Sequence, residues 1–408
     1  KIDIKTSFYI AFKYLRSQKK RNVITIITRI AIIGIAVITC ALVILLSAFN
    51  GMEKLIDQIY SEFDASITIT PTTGKTFSET EINWKELSSI KDVKTIAKGR
   101  EELIVLEYGQ PIEDQKDYRI KRTNARLYAV DDAFLNVTGL PKHHKGGAPV
   151  LHDPQGPTGI MGIGLINKLE ASINSEFTIF LPKKNISVRA KQPFLKKKTR
   201  ISSVLVYQNK IVNEETFLWP LSDFREFVKD TNKTISHIYV RAEPGADLMD
   251  LKNSFQQKLG DSFQVKTYHE KNALIFKTSK SEKLILTLIL IFVFILACFN
   301  LVSSITMIYI EKKNNFLALK SLGITQKGIF QIFFFQGIMI SALGALLGAL
   351  LGYLICALQM KFEPIKISAN QAYPIGFSWI DFSTIVVSVG ILTVLFTFIT
   401  VKLLTRND

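Results

Sequence analysis

The sequence predicts a membrane protein with four transmembrane α-helices, one N-terminal and three C-terminal, and a large α+β extracytoplasmic domain between spans 1 and 2. Two observations predict this fold class. First, the 408 residues are 48% hydrophobic, and most apolar residues fall in four runs, Val23–Phe49, Leu284–Ile310, Ile329–Leu358 and Phe382–Leu404. About 20 apolar residues cross a hydrocarbon core of about 30 Å as a helix, so each run is long enough to span a membrane.

The second observation is the distribution of charge. Residues 50–283 hold 35 Lys and Arg against 30 Asp and Glu, a surplus of +5, so +11 of the net +16 lies elsewhere. Much of that remainder flanks the apolar runs at residues 1–22 and 311–328. Short loops rich in Lys and Arg stay in the cytoplasm. We therefore expect cytoplasmic termini, an external segment 50–283, and no nucleic-acid partner.

The two patterns divide the chain into nine predicted segments. In order, these are a cytoplasmic amphipathic helix at 1–22, transmembrane helix 1 at 23–49, a periplasmic α+β domain with helical stalks at 50–283, transmembrane helix 2 at 284–310, a cytoplasmic amphipathic helix at 311–328, transmembrane helix 3 at 329–358, a short periplasmic loop at 359–379, transmembrane helix 4 at 380–404 and a cytoplasmic tail at 405–408.

The external segment reads as short alternating strands and helices, which favours α+β subdomains. Apolar residues at helical spacing continue from Gly51 to Phe63, so the first span is expected to extend as a stalk. His143–Gly162 is rich in Gly and Pro and is predicted to be a loop. The three cysteines all lie in apolar runs. Disulfides therefore do not staple this domain, which at about 234 residues is large enough to build its own core.

The sequence disfavours an enzyme, and no catalytic, cofactor-binding or metal site is predicted. Gly74-Lys75-Thr76 resembles the end of a phosphate-binding loop, but Ile69 stands where that motif requires its first glycine. Three histidines, His143, His144 and His152, cluster in a short stretch, but their spacing fits no zinc pattern. We interpret them as solvated loop residues.

The third apolar run carries a pattern typical of closely packed membrane helices. Small residues three or four positions apart let neighbouring helices approach each other. The glycines predicted to do so are Gly337, Gly344, Gly348 and Gly352.

One span, a large external domain and then three spans is an uncommon order, and several local motifs accompany it. They are Phe12-Lys13-Tyr14-Leu15-Arg16-Ser17, Ser47-Ala48-Phe49-Asn50-Gly51-Met52-Glu53, Phe299-Asn300 with Ser303-Ser304, Glu311-Lys312 with Leu319-Lys320-Ser321-Leu322-Gly323, Phe335-Gln336-Gly337 and Tyr373-Pro374-Ile375. Order and motifs resemble the permeases of the type VII ABC transporter superfamily, which contains MacB-type, FtsX-type and LolC/LolE-type proteins. The similarity is greatest to the LolC/LolE-type lipoprotein-releasing permeases.

The resemblance implies roles for named residues. The first motif looks like the elbow helix of that group, and the segment 311–328 looks like its coupling helix, which docks an ATPase. The residues implied in ATPase coupling are Glu311, Lys312, Leu319, Lys320, Leu322 and Gly323. Those implied in lipid entry and the stalk are Phe49, Asn50, Gly51, Met52, Phe299 and Asn300. A loop at Lys183–Arg200 is expected to dock a carrier through Phe194, Lys196, Lys197 and Lys198.

The implied function is release of lipoproteins from the inner membrane to a periplasmic carrier. Two permease subunits, identical or paralogous, would pair and bind a cytoplasmic ABC ATPase dimer that carries ATP and Mg²⁺. Burying a lipid contributes about 0.8 kcal/mol per CH₂ group, so extraction needs an external energy source. Two alternatives remain open. One is a MacB-like or FtsX-like permease that relays ATPase strokes to a periplasmic partner, and the other is a non-transporting membrane scaffold.

Overall fold

The computed structural model describes residues 4–16, 23–111, 118–183, 193–321, 324–368 and 371–406. The chain divides into two structural units. The helical unit comprises Lys1–Leu55 and Ile275–Asp408, and the α+β unit comprises Ile56–Leu274.

The described residues form twelve α-helices and fifteen strands. The helices are α1 (Ile4–Arg16), α2 (Val23–Phe63), α3 (Trp84–Ser88), α4 (Ala133–Val137), α5 (Ile163–Leu169), α6 (Lys210–Glu215), α7 (Leu221–Val228), α8 (Leu248–Leu259), α9 (Tyr268–Lys271), α10 (Ala273–Ser321), α11 (Gln326–Phe362) and α12 (Trp379–Arg406). The strands are β1 (Ile67–Pro71), β2 (Phe77–Ser78), β3 (Val93–Pro111), β4 (Tyr118–Val130), β5 (His144–Gly147), β6 (His152–Asp153), β7 (Gly156–Gly162), β8 (Glu176–Pro182), β9 (Phe194–Leu205), β10 (Thr216–Pro220), β11 (Thr234–Ile235), β12 (His237–Ala242), β13 (Phe263–Thr267), β14 (Lys366–Ser368) and β15 (Gln371–Ala372).

Four helices, α2, α10, α11 and α12, are long and apolar enough to cross a membrane. One lies near the N-terminus and three follow the α+β unit, which confirms the predicted fold class. α2 runs without interruption for 41 residues and ends at Phe63, beyond the apolar run. The predicted loop at 359–379 begins with the end of α11. The hairpin β14–β15 follows, and α12 starts at Trp379.

The cytoplasmic helix expected at 311–328 is not a separate element. α10 continues from Ala273 to Ser321 as a single helix of 49 residues. The physical reason lies in the sequence, because Glu311-Lys312-Lys313 and the residues after it favour a helix and contain neither Gly nor Pro before Gly323. Residues 311–321 of the predicted segment are therefore the C-terminal part of α10, residues 322 and 323 lie outside the described residues, and residues 326–328 are the start of α11.

The N-terminal helix α1 packs on α11. The hydroxyl of Ser7 donates a hydrogen bond to Oε1 of Gln331 at 3.2 Å. The rings of Phe8 and Phe335 meet edge to face with centroids 5.8 Å apart. Ala11 is fully buried, whereas Tyr9 and Phe12 are exposed. The exposed aromatic side chains suit the interfacial position expected of an amphipathic helix beside a membrane.

The α+β unit is built on one mixed sheet of eleven strands among the described residues. Its order is β13-β1-β12-β3-β4-β10-β7-β9-β5, with β6 paired to β7 and β8 paired to both β3 and β9. Both faces of the sheet are covered. Leu127 and Ala129 of β4 join one apolar cluster, with Trp219, and the alternate residues Tyr128 and Val130 join the other.

The prediction of a loop at His143–Gly162 is wrong. That stretch contains β5, β6 and β7, and β7 lies in the middle of the sheet between β10 and β9. β7 is buried on both faces from Thr158 to Gly162, so it lacks the polar alternation that marks a half-exposed strand. Gly159 permits close packing, because a methyl group there would overlap the ring of Phe217. Gly159 and Gly162 therefore reflect close packing of neighbouring groups.

The prediction of a loop at Lys183–Arg200 is wrong for its second half. Phe194 to Arg200 belong to β9, which pairs antiparallel with β8 from Pro182↔Phe194 to Glu176↔Arg200. Residues 184–192 lie outside the described residues.

Candidate functional site

A chain of polar contacts joins α2, α10 and α12 within the helical unit. Nδ2 of Asn50 on α2 donates to Oδ2 of Asp381 on α12 at 2.5 Å. Nζ of Lys283 on α10 donates to Oδ1 of Asn50 at 2.9 Å and to Oε2 of Glu53 at 3.1 Å. We call these four residues the polar junction. Asn50 is its centre, because its amide uses its donor and its acceptor on two different helices.

The junction forms where apolar runs end. Asn50 follows the first apolar run, Lys283 precedes the second, and Asp381 lies in the first turn of α12. An acidic side chain there interacts favourably with the helix dipole. The N–H of Asp381 also donates to Oγ of Ser378 at 3.3 Å, which caps the helix. The junction therefore fixes the same ends of three apolar helices to one another.

The chain before α12 lies directly against α2. The N–H of Gly376 donates to the carbonyl oxygen of Ser47 at 2.8 Å. A methyl group on Gly51 would overlap the carbonyl oxygen of Pro374, and one on Gly376 would lie 2.6 Å from the nitrogen of Gly51. Both glycines are therefore required for this close approach of two backbones.

Aromatic side chains gather at the same end of the helices. Phe377 lies 5.2 Å from Tyr353 and 5.1 Å from Trp379, measured between ring centroids. Trp379 lies 5.9 Å from Phe382. Tyr and Trp are enriched where membrane helices meet the headgroups. The polar junction thus lies beside a group of aromatic residues typical of the membrane interface.

The four glycines predicted to pack helices all lie on the buried side of α11. Gly344, Gly348 and Gly352 face α2, where a methyl group would come within 3.0 Å of Ile35, Thr39 and Val43 respectively. Gly337 faces α12 and α10 instead, beside Thr397 and Ile305. α11 therefore contacts α2 through three glycines and the other two spans through Gly337.

α11 also carries a buried amide that gains no hydrogen bond. Gln336 is 1% exposed, and neither Oε1 nor Nε2 has a partner among the described residues. Leaving a buried polar group unpaired costs about 1–3 kcal/mol. We expect Gln336→Leu to raise the stability of the protein by about 1–2 kcal/mol, measured as the midpoint of unfolding in mild detergent.

Gln359 on the same helix is the matched control. Its amide donates to the carbonyl oxygen of Ile365 at 2.7 Å and accepts from the N–H of Ile365 at 3.1 Å. Gln359→Leu removes both bonds and should lower the midpoint. A fall in stability for Gln336→Leu of similar size would contradict the interpretation of Gln336 as an unpaired group.

The residues named for lipid entry do not form one site. Asn50 belongs to the polar junction and Gly51 to the contact with the chain before α12, whereas Phe49 and Met52 are half-buried on α2. Phe299 and Asn300 are exposed on α10. They lie 16 residues after Lys283 or further, which is about 24 Å along a helix. Phe299 instead lies near Phe396 of α12, with ring centroids 6.3 Å apart.

The residues named for ATPase coupling share the end of α10. Glu311 is exposed and Lys312 is half-buried, and Leu319 and Lys320 lie in the last turn of the helix. Leu322 and Gly323 are outside the described residues.

The residues named for carrier docking lie on the β8–β9 hairpin. Nζ of Lys196 lies 5.0 Å from the centroid of the Phe180 ring, and Phe194 packs against the same ring at 6.2 Å. Nζ of Lys198 pairs with Glu176 at 3.0 Å, and Lys197 is the next residue along the strand. Two of the three lysines therefore have partners within the hairpin.

Three residues of the polar junction, Glu53, Lys283 and Asp381, were not named as site residues from the sequence. A usable signal existed, because each lies at or just beyond the end of an apolar run. What the sequence lacked was the pairing, since Lys283 and Asn50 are 233 positions apart.

Fold and site together define a multi-pass membrane protein with an α+β domain between its first and second spans. The sequence model of the MacB-like periplasmic core domain family matches residues 28–258, and that of the FtsX-like permease C-terminal family matches residues 287–408. The chain belongs to the MacB-like periplasmic core domain family, and its C-terminal part is similar to the FtsX-like permeases.

Several relatives carry the name of lipoprotein-releasing system transmembrane protein. LolE of Haemophilus influenzae is 21% identical over 86% of this chain and 82% of its own. LolC of Neisseria meningitidis serogroup B is 24% identical over 85% of this chain and 81% of its own. LolC of Buchnera aphidicola subsp. Schizaphis graminum is 25% identical over 95% of this chain and 94% of its own. The crystal structure of the periplasmic region of MacB from Actinobacillus actinomycetemcomitans matches 54% of this chain and 97% of its own, with 13% identity and a TM-score of 0.36.

Proposed function

We propose that this chain is the permease subunit of an ABC transporter that extracts lipoproteins from the inner membrane and passes them to a periplasmic carrier. The observation that carries the proposal is the similarity to LolC and LolE along most of the chain, in both structural units. It is supported by the helical unit, in which α10 exposes apolar side chains such as Leu284, Leu288 and Phe292. Such a surface suits contact with acyl chains.

The energy for extraction comes from another protein in this proposal. Moving one acyl chain of about 15 CH₂ groups out of the membrane costs on the order of 12 kcal/mol. A separate cytoplasmic ATPase dimer, which binds ATP and Mg²⁺, supplies it. The ATPase docks on the end of α10, at Glu311, Lys312, Leu319 and Lys320, and on the residues that follow it in the chain, Leu322 and Gly323. The basic segments beside the spans favour cytoplasmic termini and a cytoplasmic position for this docking segment.

The remaining partners follow from the same proposal. A second permease subunit, identical or paralogous, pairs with this one, and acyl chains enter between α2 and α10 of the two subunits. The β8–β9 hairpin, with Phe194, Lys196, Lys197 and Lys198, contacts the carrier.

A second candidate function is favoured by one observation. More than half of the chain matches the MacB-like periplasmic core domain. A permease of that kind transmits the conformational changes of its ATPase to a periplasmic partner and moves no lipid. The two candidates differ in what happens to lipoproteins when the protein is absent.

Depletion of the protein tests the choice directly. We expect lipoproteins to accumulate in the inner membrane, measured by separating the two membranes and detecting lipoproteins in each. Wild-type protein should restore their release, whereas Lys320→Glu should not, because it reverses a charge in the ATPase-docking segment. The control is Lys361→Glu, which makes the same charge reversal at an exposed lysine near the C-terminal end of α11. This variant should restore release.

Two outcomes would overturn parts of this proposal. Normal arrival of lipoproteins at the outer membrane after depletion would favour the relay function. Full rescue by Lys320→Glu, with the ATPase still copurifying, would remove the end of α10 as its docking segment.

A further inference from the structure

β3 lacks a strand partner along part of one edge. On one side it pairs with β4 throughout, from Gly99↔Val130 to Pro111↔Tyr118. On the other side, pairing with β12 ends at Gly99↔His237 and pairing with β8 begins at Val105↔Phe180. Among the described residues, no strand is therefore paired with Arg100–Ile104 on that edge, although β11 contacts β3 beside Arg100. We call this stretch the β3 slot.

Both ends of the slot have a local cause. At one end, Oγ of Ser236 accepts a hydrogen bond from the N–H of Glu101 at 2.9 Å, so a side chain replaces the strand at the point where β12 starts. At the other end, continuing the β8 register places Pro182 opposite Leu103. Proline has no N–H, so it cannot donate to the carbonyl oxygen of Leu103.

The backbone of the slot points outward. The carbonyl oxygen of Gly99 and the N–H of Glu101 both face the β12 side, as their bonds to Ser236 show. Because alternate residues of a strand face the same neighbour, Glu101 and Leu103 direct further backbone groups to the open edge. An extended segment placed there would continue the sheet.

A cavity of about 860 Å³ occupies this position. Its lining includes five basic and three acidic side chains, a surplus of +2. Arg100 is already paired, with Glu102 at 3.1 Å and with Asp230 at 3.4 Å. Lys75, Lys183 and Lys229 line the cavity without an ion pair among the described residues. The unpaired charge favours an acidic occupant.

The cavity also offers apolar contact. The side chain of Leu103 is 71% exposed, and Leu181, Leu195 and Val228 lie in the same lining. An open backbone edge supplies affinity for an extended peptide, and nearby pockets select its alternate side chains.

We infer that the β3 slot binds an extended acidic segment of the transported lipoprotein, between its acylated terminus and its folded domain. The slot is only five residues long and is closed by Ser236 and by Pro182. A single flexible segment can enter it, whereas the edge of a folded sheet would bring neighbouring strands against β12 and β8. Naming a lipoprotein as the source rests on the proposed function, but the binding of an acidic peptide does not.

The test measures peptide binding to the full chain in detergent by fluorescence anisotropy. The probe is a labelled ten-residue peptide in which Asp alternates with Thr. We expect it to bind at least tenfold more tightly than the same peptide with Lys in place of Asp. Methylation of alternate backbone nitrogens should weaken binding at least tenfold, since these groups pair with β3. Equal binding of the methylated peptide would overturn strand addition.

Charge variants locate the site. Combined Lys75→Glu, Lys183→Glu and Lys229→Glu should weaken binding of the acidic peptide at least tenfold. The control combines the same change at the exposed residues Lys91, Lys145 and Lys266, and should leave binding within twofold. Equal weakening by both sets would show general charge attraction and overturn the site.

A final arm identifies the source. A purified acylated lipoprotein with an acidic linker should compete with the peptide, and the same lipoprotein with a neutral linker should compete at least tenfold less. If only the purified carrier competes, the occupant is the carrier and the assignment to the substrate is wrong. If depletion leaves lipoprotein release unchanged, the proposed function is wrong, but binding of the acidic peptide to the β3 slot is unaffected. The two proposals can therefore be refuted independently.

Discussion

Replacing Gly51 by alanine is expected to destabilise the helical unit by about 1–3 kcal/mol, because the added methyl group would overlap the backbone of the chain before α12. The group would meet the carbonyl oxygen of Pro374 and lie 2.8 Å from the nitrogen of Gly376. Main-chain atoms cannot rotate away as a side chain can. The segment must therefore move as a whole, at the expense of the bond from Gly376 to Ser47.

The displacement should also reach the polar junction. Asn50 precedes Gly51 and donates to Asp381, two residues into α12. We expect Gly51→Ala to lower lipoprotein release together with stability. Stability is measured as the unfolding midpoint in mild detergent, and release as the lipoprotein recovered with the carrier from membrane vesicles.

Gly34 on the same helix provides the matched control. A methyl group at Gly34 would have no atom within 4 Å. Alanine is favoured over glycine in a helix by about 1 kcal/mol, so Gly34→Ala should raise the midpoint or leave it unchanged. If both variants shift the midpoint in the same direction, close approach at Gly51 does not decide its effect.

The contrast between these two glycines shows what the sequence could predict. Asn50 and Gly51 belong to a motif that named them as functional, and the apolar runs located all four spans. The sequence does not show, however, that Gly51 is closely packed whereas Gly34 has open space around it. That difference depends on Pro374, which is more than 300 positions away in the chain.

The errors in the α+β unit have a related cause. The sequence pattern misses β7 because a strand buried on both faces, with Gly159 against the ring of Phe217, shows no alternation of polar and apolar residues. The end of α10 was read as a separate helix because its amphipathic pattern differs from that of the span before it. A change in the hydrophobic pattern can mark a boundary between two helices. It can equally mark the point where a single helix passes from one environment into another.

The gap beside β3 could not have been predicted at all. It arises because two strands distant in sequence, β8 and β12, each stop short of the same five residues. Pro182 is the one local signal, since proline ends strand pairing. Recognising its effect requires knowing that Leu103 lies opposite.

The second large effect is expected at Arg241 on β12. Its guanidinium group donates to three carbonyl oxygens, from Nε to Val137 at 2.5 Å, from Nη1 to Ser61 at 2.9 Å and from Nη2 to Glu62 at 3.5 Å. Ser61 and Glu62 lie in the last turn of α2, and Val137 is the last residue of α4. One side chain thus satisfies carbonyl groups that two helix ends leave unpaired.

Burial lowers the pKa of Arg241, because desolvation disfavours the charged form. The three carbonyl groups and the negative ends of two helix dipoles offset that cost. Hydrogen bonds to a charged group contribute about 1.5–3 kcal/mol each. We expect Arg241→Met to destabilise the α+β unit by about 2–4 kcal/mol, since it leaves these partly buried carbonyl groups without a donor.

The measurement is unfolding of the full chain in urea, followed by the fluorescence of Trp219 in the core of the α+β unit, with Trp84 and Trp379 replaced by Phe in every variant compared. Hydrogen exchange across residues 56–64 provides a local measurement, because loss of the Arg241 bonds should speed exchange at the end of α2 first. Arg241→Lys should retain part of the stability, since an ammonium group keeps the charge but cannot reach both helix ends as the planar guanidinium does.

Arg119→Met is the control, because Arg119 is exposed on β4 and its loss should change stability by less than about 0.5 kcal/mol. An Arg241→Met variant that unfolds at the same urea concentration as wild type would show that the carbonyl groups find other donors. Unchanged exchange at 56–64 with lowered overall stability would place the effect in α4 alone. Faster exchange there identifies Arg241 as the residue that secures the end of α2 to the sheet.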